Sequence, residues 1–458
     1  MKTIRSSHTH KAEISLFTSH FNVTVAGSLT YELLVLVHSC SLLHIFGLET
    51  YGLLGTVLGV IHIGTHIADM GVTNSITPFL QLLSQNKNNW QFLLIQKTLL
   101  PHLPLILLTS IGTLVYFLHT SLAKNIDVTL GIIMMALIIL ESGQSFMRQL
   151  LYALFQTTAV VSIELGLLIA RYGAIWGLSL LCNYPMTISL IMWSHLASTL
   201  ICLSLFLALL TRVYKKLPET ELNIPAHFSW RLAQNRAYNY LLRLSRNIFS
   251  IHFLTPLFAF QFGLKTAGLF FFASKLARIV SAVVKLSIGY SGNGLLAQIK
   301  NKALPEKRAA FSLLAAKLLS LIIPACALFA PLCAGALHRG YIQSAATDIF
   351  VLCLLYLIIT FFEFFFMLYE QWYILEEAAH RLCIIKLIEL GALFALLKYC
   401  PLSAIQLLAI LIIVRALHFG LIAFHAYKTW GIALTGQINL RSSSWYAALG
   451  CLCWYFFL

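Results

Sequence analysis

Apolar runs of roughly 20 residues or more, recurring along the whole chain, constrain its fold more than any other feature. Twelve are read, starting near Phe17, Tyr51, Gln91, Val128, Thr157, Thr187, Tyr240, Thr266, Ala309, Ala345, His380 and Leu402. At 1.5 Å per residue, each can cross a hydrocarbon core of about 30 Å as a helix. That core holds no water, so every backbone N–H and C=O must find its partner inside the segment, and a helix meets this demand. Hydrophobic residues make up 59% of the chain and charged ones 10%, which excludes a water-soluble domain. The expected fold class is an all-α polytopic membrane protein of about twelve transmembrane helices.

The net charge of +15 is explained by where the basic residues sit. Lys2, Arg5 and Lys11 precede span 1, and Arg212, Lys215, Lys216, Arg231, Arg236, Arg243 and Arg246 surround the connection between spans 6 and 7. Lys300, Lys302, Lys307 and Arg308 lie between spans 8 and 9, whereas the opposite loops carry little beyond Lys124, Lys265, Arg339 and Lys398. An excess of Lys and Arg marks cytoplasmic loops, so the N-terminus and the end of span 12 are expected in the cytoplasm, with no nucleic-acid partner. Met1 to Ser15 is polar and basic and lacks a leader's short apolar core and cleavage site. The ten cysteines contain no C-x-x-C pair and mostly sit inside apolar runs, where they read as small core residues rather than metal ligands or disulfides.

An internal duplication divides the chain. Phe46–Leu53 and Phe262–Leu269 share six identities in eight at an offset of 216. Leu93, Leu94, Lys97, Leu99 and Pro104 match Leu313, Leu314, Lys317, Leu319 and Pro324 at 220. Glu141 and Gln149 match Glu363 and Gln371 at 222, and Ile163–Gly166 matches Ile388–Gly391 at 225. The offset grows steadily, as small loop insertions in a collinear duplication would make it. A repeat of six helices, an even number, places both copies in the membrane with the same orientation. The expected organisation is a cytoplasmic tail at 1–16, a six-helix bundle at 17–213, a basic linker at 214–239, a second bundle at 240–428, and a tail at 429–458. The apolar end of that tail, Trp445–Leu458, is too short for a full span and is expected at the interface or against the bundle.

The polar residues inside these spans carry the functional signal. Span 2 places Gly55, Gly59, His62, His66, Asp69, Thr73 and Thr77 on one face at helical spacing. At the 216 offset, span 8 answers with Phe271, Lys275, Arg278, Ala282, Lys285 and Gly289. A charge in hydrocarbon costs roughly 2.5–3.5 kcal/mol, so these faces need water or counter-charges. A hydrated cleft shared by the two halves would serve both, and helix-to-helix hydrogen bonding with Lys285 snorkelling is the alternative. The cations Lys275, Arg278 and Lys285, with Arg415 of span 12, are candidates for a lumen that accepts an anionic group such as a diphosphate. Asp69, His62 and His66, with Glu32 of span 1, are candidates for a lumen or ion-coupling role, and structural pairing is the other reading of Glu32. Lys97, Lys317, Glu164, Glu389 and Arg148 lie nearer the helix ends, where snorkelling or structural pairing explains them.

The chain has no Walker-type loop, zinc-ligand spacing or G-x-S-x-G, so neither an ATP-driven pump nor a resident cofactor is expected. Phe46–Leu53 followed by Ile67-Ala68-Asp69-Met70-Gly71-Val72-Thr73 resembles the helix 1 to 2 signature of the polysaccharide (Wzx-type) flippases. These belong to the multidrug/oligosaccharidyl-lipid/polysaccharide (MOP) exporter superfamily. Phe271–Lys285, with its Ala-Ser-Lys-Leu-Ala core, is similar to helix 8 of that family, and the likeness covers roughly residues 15 to 430. Some relatives have fourteen spans where this chain has twelve.

The resemblance implies two six-helix bundles in a MATE-like V, with a cationic lumen. It implies a bacterial inner-membrane transporter, not an enzyme, that flips a polyprenyl-diphosphate-linked oligosaccharide by alternating access. Asp69 matches the family's helix 2 acid, and Lys275 and Arg278 match basic positions on helix 8. The implied partners are the lipid-linked oligosaccharide, membrane lipid, a coupling proton or sodium ion, and other glycan-assembly membrane proteins. A cation-coupled multidrug exporter of the same fold is the runner-up, with an integral-membrane glycan polymerase or ligase behind it. The Gly-x-x-x-Asp-Arg motif of major-facilitator transporters is absent; the loop at that place reads Leu83-Ser84-Gln85-Asn86-Lys87-Asn88-Asn89-Trp90.

Overall fold

The computed structural model describes residues 2–69, 71–72, 87–90, 100–119, 127–153, 156–182, 185–219, 228–278, 303–309, 311–312, 315, 346–376, 378–399 and 403–432. Among the described residues all regular structure is helical. The main helices are α1 (Lys2–Asp69), α2 (Leu100–Leu118), α3 (Val128–Ala153), α4 (Thr157–Leu181), α5 (Ile188–Lys215) and α6 (Phe228–Asn247). They continue with α7 (Ile251–Phe262), α8 (264–278), α9 (Ala346–Leu375), α10 (Ala379–Tyr399) and α11 (Ala404–Trp430).

Local chemistry sets several ends. The Thr187 hydroxyl accepts the Leu190 N–H at 3.2 Å and starts α5. Ser403 and Gln406 form a reciprocal capping box at the start of α11, and Gly431, at φ 66°, closes it in the left-handed conformation. Span 7 is two helices, because the chain turns at residues 248–250 between α6 and α7. The Phe249 and Ser250 N–H groups bond back to the carbonyls of Arg246 and Asn247, and the Ser250 hydroxyl accepts the Phe253 N–H to open α7.

The distribution of polarity is that of a protein solvated by lipid. On α11, Ile413, Leu417, Leu421 and Phe424 are 50–66% exposed at helical spacing, while Arg415 and His418 are buried with Val414 and Ile422. In water this arrangement would strand an apolar stripe and bury charge, whereas in hydrocarbon both choices are favourable. Among the described residues, six helices are long and apolar enough to cross a membrane. The chain is an integral membrane protein.

The duplication is written into the backbone. α1 is broken at Gly47, with φ 68° and ψ 176°, and the matched Gly263 between α7 and α8 has φ 87°. The conformation of Gly47 belongs to a region that is essentially glycine-only. Five residues on, the two copies meet each other. A methyl group added to Gly52 would strike the Leu264 carbonyl, and one added to Gly268 would strike the Leu48 carbonyl. The contact is reciprocal, as symmetry-related copies require, and the absence of two side chains lets the backbones touch.

Close packing groups the residues into two units. The N unit, Leu54–Pro256, packs α2 on α3, α3 on α5 and α4 on α5. The C unit, Met1–Leu53 with Leu257–Leu458, packs α9 on α10 and on α11, and α10 on α11. The pairing of α3 with α5 is thus repeated by α9 with α11, and that of α4 with α5 by α10 with α11. Packing and ancestry divide the chain at different places, since the span 1 segment groups with the C unit and the span 7 segment up to Pro256 with the N unit.

Candidate functional site

Within the N unit, the polar face of span 2 is turned toward α6 and α7. At Gly59 the backbone approaches the His252 carbonyl and the Pro256 ring so closely that no Cβ would fit. One turn on, the Nε2 atoms of His62 and His66 lie 2.6 Å apart, and the His62 ring sits 3.9 Å from that of His252. Asp69 forms a close ion pair with Arg243 Nη1 and is 8% exposed at its side chain. Arg236 and Arg246, on the same helix as Arg243, lie within electrostatic reach of Asp69 and Arg243 respectively. A mainly apolar cavity of about 80 Å³ opens here, walled by Ile63, Ile67, Leu244, Ile248 and Phe253, with His62, His66 and Arg243 at its lining. Tyr240, Arg243 and Asn247 share one face of α6 by their spacing of three and four residues. Elsewhere in the unit, Glu141 of α3 holds His195 of α5 at 3.1 Å, and Arg148 of α3 reaches Glu164 of α4 at 3.3 Å.

The C unit pairs its charges too. Arg278 of α8 donates to Glu32 of α1 at 2.9 Å, with the guanidinium side chain 32% exposed and the carboxylate side chain 9%. One turn away, the Lys275 ammonium stands 5.2 Å from the centroid of the Phe271 ring. A second group is sealed among α9, α10 and α11. Lys386 lies 3.8 Å from Glu370 and 3.7 Å from Glu389, Arg415 bonds Glu389 at 3.2 Å, and His418 lies against the same carboxylate. The Phe366 ring lies 4.6 Å from the Lys386 ammonium and 4.9 Å from the Arg415 guanidinium. Two acids balance two cations, which is what a group of charges this buried requires.

No family model and no curated protein matches the chain. Solved structures do. An outward-facing multidrug resistance MATE family transporter of the MOP superfamily superposes over 91% of this chain and 95% of its own, with TM-score 0.54 at 12% identity. The chain has the MATE fold. An inward-facing MATE family transporter gives TM-score 0.57 over 88% of this chain and 98% of its own, again at 12% identity. A Vibrio cholerae MATE transporter gives 0.54 over 90% and 98%, at 13% identity. At such identities the likeness is one of fold.

Set in the MATE fold, the residues singled out from sequence fall into three groups. His62 and His66 line the cavity of the N unit, and Asp69 pairs with Arg243, which lines it too. Glu32, Arg278 and Lys275 come together in the C unit, the first two as partners. Arg415 is fully buried among α9, α10 and α11, bonded to Glu389. Lys285 lies outside the described residues, as do Thr73, Thr77, Lys97, Lys317 and the apolar tail.

Sequence reasoning missed Arg243 as the partner of Asp69, because it reads as one more positive-inside residue and lies 174 positions away. It also missed Glu370, Lys386 and His418. Lys386 with Glu389, and Arg415 with His418, are each spaced by three, so two polar faces on adjacent apolar helices were the available signal.

Proposed function

We propose that this MATE-fold protein is a membrane transporter that carries a polyprenyl-diphosphate-linked oligosaccharide across the inner membrane by alternating access. The observation that carries the reading is the sign of the charge around the N-unit cavity. Arg236, Arg243 and Arg246 share one helix; Arg243 pairs with Asp69, Arg236 lies within electrostatic reach of Asp69, and Arg246 lies within reach of Arg243. A protein built to carry organic cations would be expected to offer such a substrate surplus acids. A diphosphate, by contrast, presents oxygens that guanidinium groups hold bidentately. Lys275 and Arg278 add basic groups in the C unit, where Arg278 is partly exposed beside its buried partner. Within this reading a proton or sodium ion couples the transport, and the substrate comes from other glycan-assembly membrane proteins.

A cation-coupled multidrug exporter is the second reading, favoured by the solved structures of this fold, which are multidrug resistance transporters. Ligand-dependent thermal unfolding of the purified protein separates the two. A ligand at 100 times its Kd stabilises the folded state by about 2.7 kcal/mol. The expected result is a raised unfolding midpoint with a soluble-chain prenyl diphosphate and none with the matching prenol or a cationic dye. Stabilisation by the dye and not by the diphosphate would overturn the proposal.

A further inference from the structure

We propose that the basic end of the N unit, formed by Arg212, Lys215 and Lys216 where α5 ends, is a docking surface for the anionic phospholipid headgroups of the leaflet it meets. The partner is the lipid around the protein, so the inference is independent of what the protein carries.

The length of α5 puts these cations at headgroup depth. Its 28 residues reach about 42 Å and outrun a hydrocarbon core of about 30 Å. Ile201, Leu205, Ala208, Arg212 and Lys215 follow one another at helical spacing on a single exposed face. Ile201 and Leu205, 50% and 41% exposed, are the apolar part of that stripe. Arg212 follows Leu205 by two turns, about 10 Å, and Lys216 is exposed beside Lys215. The cations therefore stand over the same lipids whose chains the lower part of the face meets. Past the connection, Trp230 at the start of α6 is 67% exposed, as aromatic residues at the lipid–water boundary are.

These charges have no internal use for an acid to meet. Among the described residues no acid lies within ion-pair distance of Arg212, Lys215 or Lys216. Glu219, the described acid next along the chain, is taken by Lys87, whose ammonium lies 2.7 Å from it and whose backbone N–H donates to the Pro218 carbonyl at 3.0 Å. From Arg212 to Arg246 the sequence sets seven basic residues against two acids, Glu219 and Glu221.

Ending a lipid-facing helix needs less than this. On α11, which takes the place of α5 in the C unit, the exposed stripe Ile413, Leu417, Leu421 and Phe424 ends on one lysine, Lys428. Nearby cations of that unit are engaged within it: Lys307 bonds Glu376 at 2.9 Å, and the Arg308 guanidinium stands beside Gly431 at the end of α11. One cation also serves the negative end of a helix dipole. Three on α5 form a surplus that matches an anionic leaflet, where each cation strengthens attraction about fivefold.

The test is thermal unfolding of the purified full chain in nanodiscs of phosphatidylcholine and in nanodiscs that also hold phosphatidylglycerol. The wild type should unfold at a higher midpoint with phosphatidylglycerol, and the gain should shrink as salt is raised. R212Q/K215Q/K216Q should lose the larger part of the gain, and R212K/K215R/K216R, which keeps the charge, should retain it. Comparing each variant with itself in the two lipids removes any change in its intrinsic stability. Lys87→Gln, which releases Glu219 three residues from Lys216, should reduce the gain as well and serves if the neutral triple variant does not fold. Inorganic phosphate added to phosphatidylcholine nanodiscs should not reproduce the effect. No gain in the wild type, an undiminished gain in the neutral triple variant and in Lys87→Gln, or a full gain from inorganic phosphate would overturn the proposal.

Discussion

Arg148 and Glu370 occupy the same position in the two copies of the repeat, at the offset of 222 that relates Glu141 to Glu363. In the N unit, Arg148 pairs with Glu164. In the C unit the matched position is an acid, so Glu370 and Glu389 would stand together unpaired without Lys386 and Arg415. Removing one partner of a buried ion pair costs about 3–5 kcal/mol, whereas removing both with apolar or neutral groups is often nearly neutral. Lys386→Met should therefore lower the thermal unfolding midpoint sharply, and adding Glu370→Gln should restore most of it. Additive losses in the double variant would show that the group is not held by mutual compensation. The same logic predicts that Asp69→Asn destabilises the N unit and that Arg243→Gln relieves it. The sequence made Asp69, Glu32, Arg278 and Arg415 visible as costly charges in apolar runs. It did not make their partners visible, because a buried charge is satisfied in space, by residues such as Arg243 that are unremarkable in their own stretch of chain.

At the scale of elements, the helices and their duplication were legible because apolar length and internal identity survive without any tertiary knowledge. What Phe46–Leu53 and Phe262–Leu269 do was not legible. Their glycines break the helices at Gly47 and Gly263, then let the two copies cross at Gly52 and Gly268. Gly47→Ala should cost of order 1–3 kcal/mol, the expense of holding a side chain in a glycine-only conformation. Gly52→Leu should abolish the folded state, since its side chain would have to occupy the position of the Leu264 carbonyl. Gly112→Ala, where nothing lies within 4 Å of the added carbon, should leave the unfolding midpoint unchanged or raise it slightly. Equal losses at all three positions would contradict the crossing. The division of span 7 into α6 and α7 also escaped the hydropathy pattern. A turn fixed by Asn247 and Ser250 interrupts the helix at a place where the apolar run does not.

For the whole molecule, the MATE fold fixes an architecture and leaves the cargo to its polar groups. The proposed anionic cargo rests on the arginines of α6 around Asp69 in one unit and on Lys275 and Arg278 in the other. The most direct measurement is translocation in liposomes containing the purified protein and a fluorescent polyprenyl-diphosphate oligosaccharide, with its exposure to the opposite leaflet followed with and without a proton gradient. The account predicts movement above protein-free liposomes, accelerated by the gradient and lost in Lys275→Ala with Arg278→Ala. No movement of the lipid-linked glycan, alongside export of a cationic dye by the same preparation, would contradict it.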